Sequence, residues 1–348
     1  MKNKTLCMAA WLMILVTVAT VAFAANPNRV GTAGAQELLI PVGARGIAFG
    51  GSYMVLATGV DAIYYNPAGL ALQSNSVEAL VSNMNYIADI GVVYGAVGVK
   101  AGEFGSIGFS LKSINFGNIP VTTVDFPDGN GQQYSPTYIT LSGTYSKALT
   151  DRIAFGFTAS LVSERIMEMS AGGVAFNFGI QYHNLAVQGL DLGVVIKNVG
   201  PSMTFTGSNL LVPATSQTGQ RGSQTFSLNA ASFDLPSLME IGIAYTRKLD
   251  EKNAVSVGGL FRNNNYLDDE YNLGAEYGFN NIFFLRGGYT FSPQATKDPT
   301  GTSSYLYDYT FGAGVHYPVG DVDLSLDYAY RHLRYFTGNN VIALRLGF

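Results

Sequence analysis

A single cysteine, Cys7, stands among 348 residues, so the chain can build neither an internal disulfide nor a cysteine metal site. Histidine is almost as scarce. His183, His316 and His332 fall on separate stretches, and no H-E-x-x-H helix, G-x-S-x-G elbow or Walker-type loop accompanies them. Charge is thin at 13%, about half the usual quarter of soluble domains. Past the first two dozen residues no uninterrupted apolar run reaches about 18 residues, which excludes a helical membrane protein. These absences leave no catalytic, cofactor-binding or metal residue to name, and a non-enzyme without cofactors is expected.

The N-terminus carries Lys2 and Lys4, an uncharged stretch from Thr5 to Val21, and Ala22-Phe23-Ala24. A positive start, an apolar core and an A-x-A site read as a secretory signal peptide over 1–24, cleaved after Ala24. Its loss takes two lysines from the 20 basic residues and leaves 24 acidic ones. An acidic balance with scattered lysines argues against nucleic acid as a partner.

From Val77 onward apolar and small-or-polar side chains alternate in runs of about ten residues, the length and period of strands that cross a membrane. In Tyr138 to Ala148, Ile139, Leu141 and Tyr145 share one face while Thr140, Ser142, Thr144 and Ser146 share the other. Period two with one polar face describes a strand between lipid and a wet or plugged lumen. The same reading places strands near 77–86, 90–100, 105–116, 136–148, 152–166, 173–184, 189–199, 237–249, 253–263, 270–279, 282–292, 305–317, 321–331 and 339–348. The expected fold is therefore all-β: a transmembrane antiparallel barrel of about fourteen strands over 77–348, closed by Phe348, with outer-membrane lipid around it.

Connections at 101–104, 149–151, 185–188, 250–252, 280–281 and 318–320 are short, and their alternates are mostly longer. Short periplasmic turns alternating with long outer loops put both barrel ends in the periplasm. One connection, 87–89, is short on the wrong side. The longest, 200–236, is apolar for a loop, with Met203, Phe205, Leu210, Leu211, Val212, Phe226 and Leu228; it could shelter a greasy ligand, present a surface to a protein, or simply pack on itself.

Strand parity points Lys112, Asp191, Lys197, Arg262, Glu276, Arg286, Asp308, Asp323, Asp327, Arg331 and Arg345 inward, along with His183 and His316. Mixed signs in similar number suit pairing with each other or with a plug better than an open ion pore. The histidines read as lumenal hydrogen-bonding groups rather than metal ligands. Gly117 and Pro120 follow the third strand; Pro lacks the ladder donor, so the pair marks either the start of an outer loop or a lateral gate in the wall.

Residues 25–76 differ from the rest: rich in Gly and Ala, dotted with apolar clusters, and bearing only Arg45 and Asp61 as charges between Glu37 and Glu78. Such a segment could fold inside the barrel as a hatch; it is too apolar for a solvated tail. Within it, Gly50-Gly51 permits close backbone approach, and Asn66-Pro67-Ala68-Gly69 is a turn builder. Arg45 and Asp61 need partners, each other or lumenal charges, because an unpaired buried charge is costly.

The stretch Gly43-Ala44-Arg45-Gly46-Ile47-Ala48-Phe49-Gly50-Gly51, followed by Asp61-Ala62-Ile63-Tyr64-Tyr65-Asn66-Pro67-Ala68-Gly69-Leu70, resembles the N-terminal hatch of the FadL superfamily of outer-membrane barrels, in the spelling of its PorV/PorQ-like branch. The resemblance implies a hatch motif of Gly43, Ala44, Arg45, Gly50, Gly51, Asp61, Asn66, Pro67, Ala68 and Gly69. For the PorV branch it implies a component that engages exported proteins and other parts of a type IX secretion system. For FadL itself it implies passage of long-chain fatty acids or other hydrophobic molecules.

Overall fold

The computed structural model describes residues 29–214, 223–297 and 303–348; the expected signal peptide lies outside them. Fourteen strands form the wall: β1 (Val77–Asn85), β2 (Gly91–Lys100), β3 (Ser106–Asn115), β4 (Thr137–Ala148), β5 (Ile153–Ile166), β6 (Met169–Tyr182), β7 (Leu190–Val199), β8 (Leu238–Lys248), β9 (Ala254–Asn264), β10 (Glu270–Phe279), β11 (Phe283–Phe291), β12 (Tyr307–Val319), β13 (Val322–Leu333) and β14 (Asn339–Gly347). Each pairs antiparallel with its neighbours, and β1 pairs with β14 from Glu78↔Gly347 to Asn85↔Asn340. The closure runs to the last residue: Val77 N–H donates to Phe348 O at 3.1 Å and Phe348 N–H returns the bond at 2.8 Å. A closed wall leaves no free edge, which lipid would not tolerate.

The alternation seen in the sequence becomes the two faces of this wall. Phe109, Leu111, Leu161, Leu273, Leu285, Phe311, Leu326 and Ile342 stand exposed on the outside. The same strands turn Ser, Thr and charged side chains inward, where Thr144 and Thr158 share a hydroxyl bond of 2.8 Å across β4 and β5. Tight turns close one end. Asn280 and Asn281 both take left-handed φ, 56° and 55°, the geometry a two-residue hairpin needs. The short connection at 87–89 is a true hairpin of the same kind: Ala88 and Asp89 adopt φ 52° and 62°, and β1 pairs directly with β2.

Asp308 departs from its expected parity for a physical reason. The register slips between Tyr307 and Thr310, and a bulge of this kind re-aims the side chains it carries. Asp308, expected inside, instead meets Nδ1 of His332 at 2.7 Å, a residue of outward parity stacked on exposed Tyr309.

Residues 36–72 coil inside the wall as short helical turns. Two are α-helical, α1 (Ala44–Ala48) and α2 (Ala62–Tyr65). Phe49, Met54, Val55, Val60 and Leu70 are wholly buried, so the molecule's main apolar core lies between hatch and wall.

Candidate functional site: the hatch and the cavities above and below it

Helical turns this short cannot hold themselves together; the wall fixes them through backbone-level contacts and through side chains that satisfy their carbonyls. Gly156 on β5 and Gly179 on β6 lie directly paired, and a Cβ on either would overlap the Asn66-Pro67-Ala68 corner. Gly274 on β10 and Gly288 on β11 are paired in the same way and carry Phe49 and Gly50. Gly50 and Gly51 hold φ of 67° and 79°, a region that favours glycine. The close approach expected at Gly50 is thus made against glycines of the wall, and the Asn66-Pro67-Ala68 corner rests on a second glycine pair.

The Asn66 corner matches its sequence reading. Asn66 is extended at φ −154°, ψ 107°, its Oδ1 accepts from Ala68 N–H at 3.2 Å, and Pro67 opens the turn that follows. Its Nδ2 donates onward to Ile180 O of β6 at 3.2 Å. Asn66→Ala should therefore cost more than an ordinary cap, about 2 kcal/mol, visible as a lower melting temperature of the barrel in detergent.

Arg45 and Asp61 find partners in the wall, not in each other. Arg45 meets Glu276 at 3.4 Å, and Asp61 meets Arg345 at 3.3 Å. Glu276 belongs to a chain of charges with Arg286 and Asp327. A second chain joins Lys197, Glu240, Arg262 and Glu270. Both are built from residues of inward parity. His183 pairs with Asp191 at 3.1 Å and His316 with Asp323 at 3.5 Å; no cluster of three metal-ligating side chains occurs among the described residues.

Other anchors carry no motif. Gln181 Nε2 donates to Met54 O and Ala57 O, each at 3.0 Å. Lys112 Nζ donates to Glu37 O at 2.7 Å and Ile40 O at 3.3 Å. Thr310 Oγ1 holds Ala48 O at 3.0 Å. Each serves an orphan carbonyl that a short helical turn leaves open.

Two cavities flank the hatch. The larger, about 640 Å³, opens at the long-loop end and is lined by Leu39, Ile40, Ile47, Ile90, Ile114, Phe116, Tyr138, Phe205 and Phe233 among others. Within this mostly apolar lining, Asn272 Nδ2 and Arg331 Nη2 are buried and have no hydrogen-bond partner among the described residues. The smaller, about 250 Å³, lies at the short-turn end among Arg45, Glu78, Arg286, Asp323, Asp327 and Arg345. The two share no lining residue, and the stretch from α1 to Gly51 separates them.

Gly117 and Pro120 sit above the wall. The ladder of β3 is complete on both sides through Asn115; Gly117 follows with φ 71°, and Ile119–Pro120 pairs with Gln133–Tyr134 in an outer hairpin. The gap in the wall lies elsewhere. On β6, Ala171 to Ala175 have no strand partner on the β7 side among the described residues, because pairing stops at Phe176↔Val199 and resumes only at Ser170↔Thr206. Met203 and Leu235 pack beside that gap on Val162, Ala171 and Ala175 with Ala35 and Leu38 of the hatch. Sequence reading picked out Met203 as an apolar loop residue but carried no signal for its place against the wall.

The molecule is a closed, fourteen-stranded membrane-type barrel with an internal hatch. Among solved structures it is similar to the CymD monoaromatic hydrocarbon channel, with 13% identity and a TM-score of 0.52 over 88% of this chain and 97% of that one. It is equally similar to a FadL homologue of Pseudomonas aeruginosa, at 13% identity and TM-score 0.52 over 88% and 98%. The toluene transporter TbuX of Ralstonia pickettii matches at 13% and 0.50 over 88% and 98%. At such identities the likeness establishes the fold. No family model and no curated protein matches the sequence.

Proposed function

We propose that the protein is a non-enzymatic outer-membrane channel for hydrophobic small molecules, a member of the FadL superfamily with its long loops outside and both barrel ends in the periplasm. The observation that carries this is the mouth cavity of about 640 Å³, lined mainly by aliphatic and aromatic side chains with Glu37, Glu164, Arg262, Glu270 and Arg331 among them, and floored by the hatch. An apolar pocket with a few placed polar groups is the usual form of a small-molecule site. The similar structures are described as hydrocarbon channels and a toluene transporter, which supports the same reading. The free donors Asn272 Nδ2 and Arg331 Nη2 suit a solute with one oxygen acceptor on an apolar body, a fatty acid among them. The residues Gly43 to Gly69 serve as the seal, and Gly117 and Pro120 shape the approach to the mouth.

A second reading follows the spelling of the hatch motif: engagement of exported proteins and secretion components. The exposure of Val124, Phe126, Phe226 and Leu228 on the outer hairpins favours it, as an apolar face for a protein; the similar structures lend it no support. Affinity purification from the native outer membrane, with bound small molecules and co-purifying proteins both identified by mass spectrometry, separates the two. In liposomes the channel should admit an alkylbenzene and a fatty acid, and Arg331→Gln should slow the acid about tenfold, the loss of one charged hydrogen bond, while sparing the hydrocarbon. Equal passage through protein-free liposomes would refute the channel.

A further inference from the structure

The first turn of the hatch, Gln36–Leu39, docks between β5 and β6. Leu38 packs with Met203 and Leu235 against Val162, Ala171 and Ala175. Beside it, Glu37 is 3% exposed, and neither of its carboxylate oxygens receives an N–H or O–H from any described residue. Lining the same cavity is another carboxyl, that of Glu164 on β5, itself 3% exposed.

The other groups around the pair cannot neutralise both acids. Lys112 on β3 is turned to the carbonyls of Glu37 and Ile40. Lys197 on β7 is held by Glu240 at 3.0 Å, and the ring of Tyr64 from α2 stands 5.1 Å from each lysine. Tyr138 on β4 adds a neutral phenol near both acids. Two carboxylates buried around one cavity do not readily both ionise, and a proton shared between them would supply the hydrogen bond that Glu37 lacks.

We propose that Glu37 and Glu164 are a proton-dependent latch, which holds the first turn of the hatch against the wall and lets it go when the shared proton is lost. The turn supplies Gln36, Glu37, Leu39 and Ile40 to the lining of the mouth cavity, and Glu164 faces them from the wall. Release therefore widens the mouth. Burial, and next the Glu164 carboxylate, push the Glu37 carboxyl from 4.5 up to about 8, in keeping with the geometry.

The sign of the pH dependence follows. The docked turn keeps its proton to about pH 8, whereas a released Glu37 loses it near 4.5. Docking is strongest below 4.5, weakens about tenfold for each pH unit between the two values, and changes no further above 8.

The test uses the full chain, folded in detergent, with Cys7→Ser and a single reporter thiol. Leu38→Cys reports release, since Leu38 is buried in the docked turn; exposed Gln36→Cys corrects for the chemistry of the thiol. The ratio of their rates with a neutral maleimide should climb about tenfold per unit from pH 5 to 8 and then level off. Glu37→Gln donates to Glu164 without a titrating proton, and Glu164→Gln donates to Glu37; either should flatten the profile, with strand circular dichroism confirming a folded barrel. A flat profile in the parent, or a slope that survives Glu37→Gln, would overturn the latch.

Discussion

Gly156→Val combined with Gly179→Val is expected to turn a sealed barrel into a conducting one. The two glycines are paired across β5 and β6 on the inner face, and the Asn66-Pro67 corner rests on their bare backbone. A side chain at Gly156 would overlap the backbone of Pro67 and Ala68, and one at Gly179 would overlap Asn66 and Pro67. None of these can yield by rotating a side chain. Pro67 is rigid, Asn66 is fully buried and bonded to Ile180 O, and Ala68 O is held by Ser146 Oγ at 2.8 Å. Overpacking of this kind costs about 1–3 kcal/mol per site, and the bonds from Asn66 and Ser146 add about 1 kcal/mol each. Valine suits a strand, so the wall itself should persist and the cost falls on docking of the hatch. A loss of about 4 kcal/mol shifts the seated-to-displaced ratio by roughly a thousandfold. In planar bilayers the parent should be silent and the double variant should show discrete channel openings. Gly95→Val, with nothing within 4 Å of its added Cβ, should remain silent; a closed double variant would mean that these contacts do not seat the hatch.

That prediction depends on contacts the sequence could show only in part. The wall was readable because every strand repeats one local rule, period two with a greasy outer face, and because short turns mark the ends. Asn66 was readable too, since its cap and its extended backbone are fixed by its own neighbour Pro67. The seat was not. Gly156 and Gly179 look like any small inward residue until pairing across strands shows which part of the hatch they face. Lys112 and Gln181 anchor main-chain carbonyls 75 and 127 residues away, and a carbonyl has no letter in a sequence. Arg45 and Asp61 announced that they needed partners, but the choice of Glu276 and Arg345 over each other is a matter of barrel geometry. Glu37 drew no notice because its meaning comes from Glu164, another acid, where a reader looks for a base.

The charges beneath the hatch give the largest expected loss of stability. Arg286 has a side chain only 2% exposed and donates to Glu276 Oε2 at 2.5 Å and Asp327 Oδ1 at 2.6 Å. It is the sole cation within salt-bridge distance of Asp327 among the described residues, while Glu276 keeps Arg45 at 3.4 Å. Arg286→Met preserves the stem of the side chain and removes the charge, so Asp327 is left buried without a counter-ion. Breaking a buried pair from one side costs about 3–5 kcal/mol, most of it the price of the stranded partner. Thermal melts in detergent should fall accordingly, and the hatch should loosen with the wall, because Glu276 also holds Arg45 at the start of α1. Adding Asp327→Leu removes the stranded charge, and the pair of changes should recover most of the loss, since an apolar replacement of a whole buried ion pair is often neutral. The departure from additivity is then the measurement of interest. Recovery assigns the cost to an uncompensated carboxylate; two losses that simply add would mean that the charges act separately, each through its own packing against the hatch.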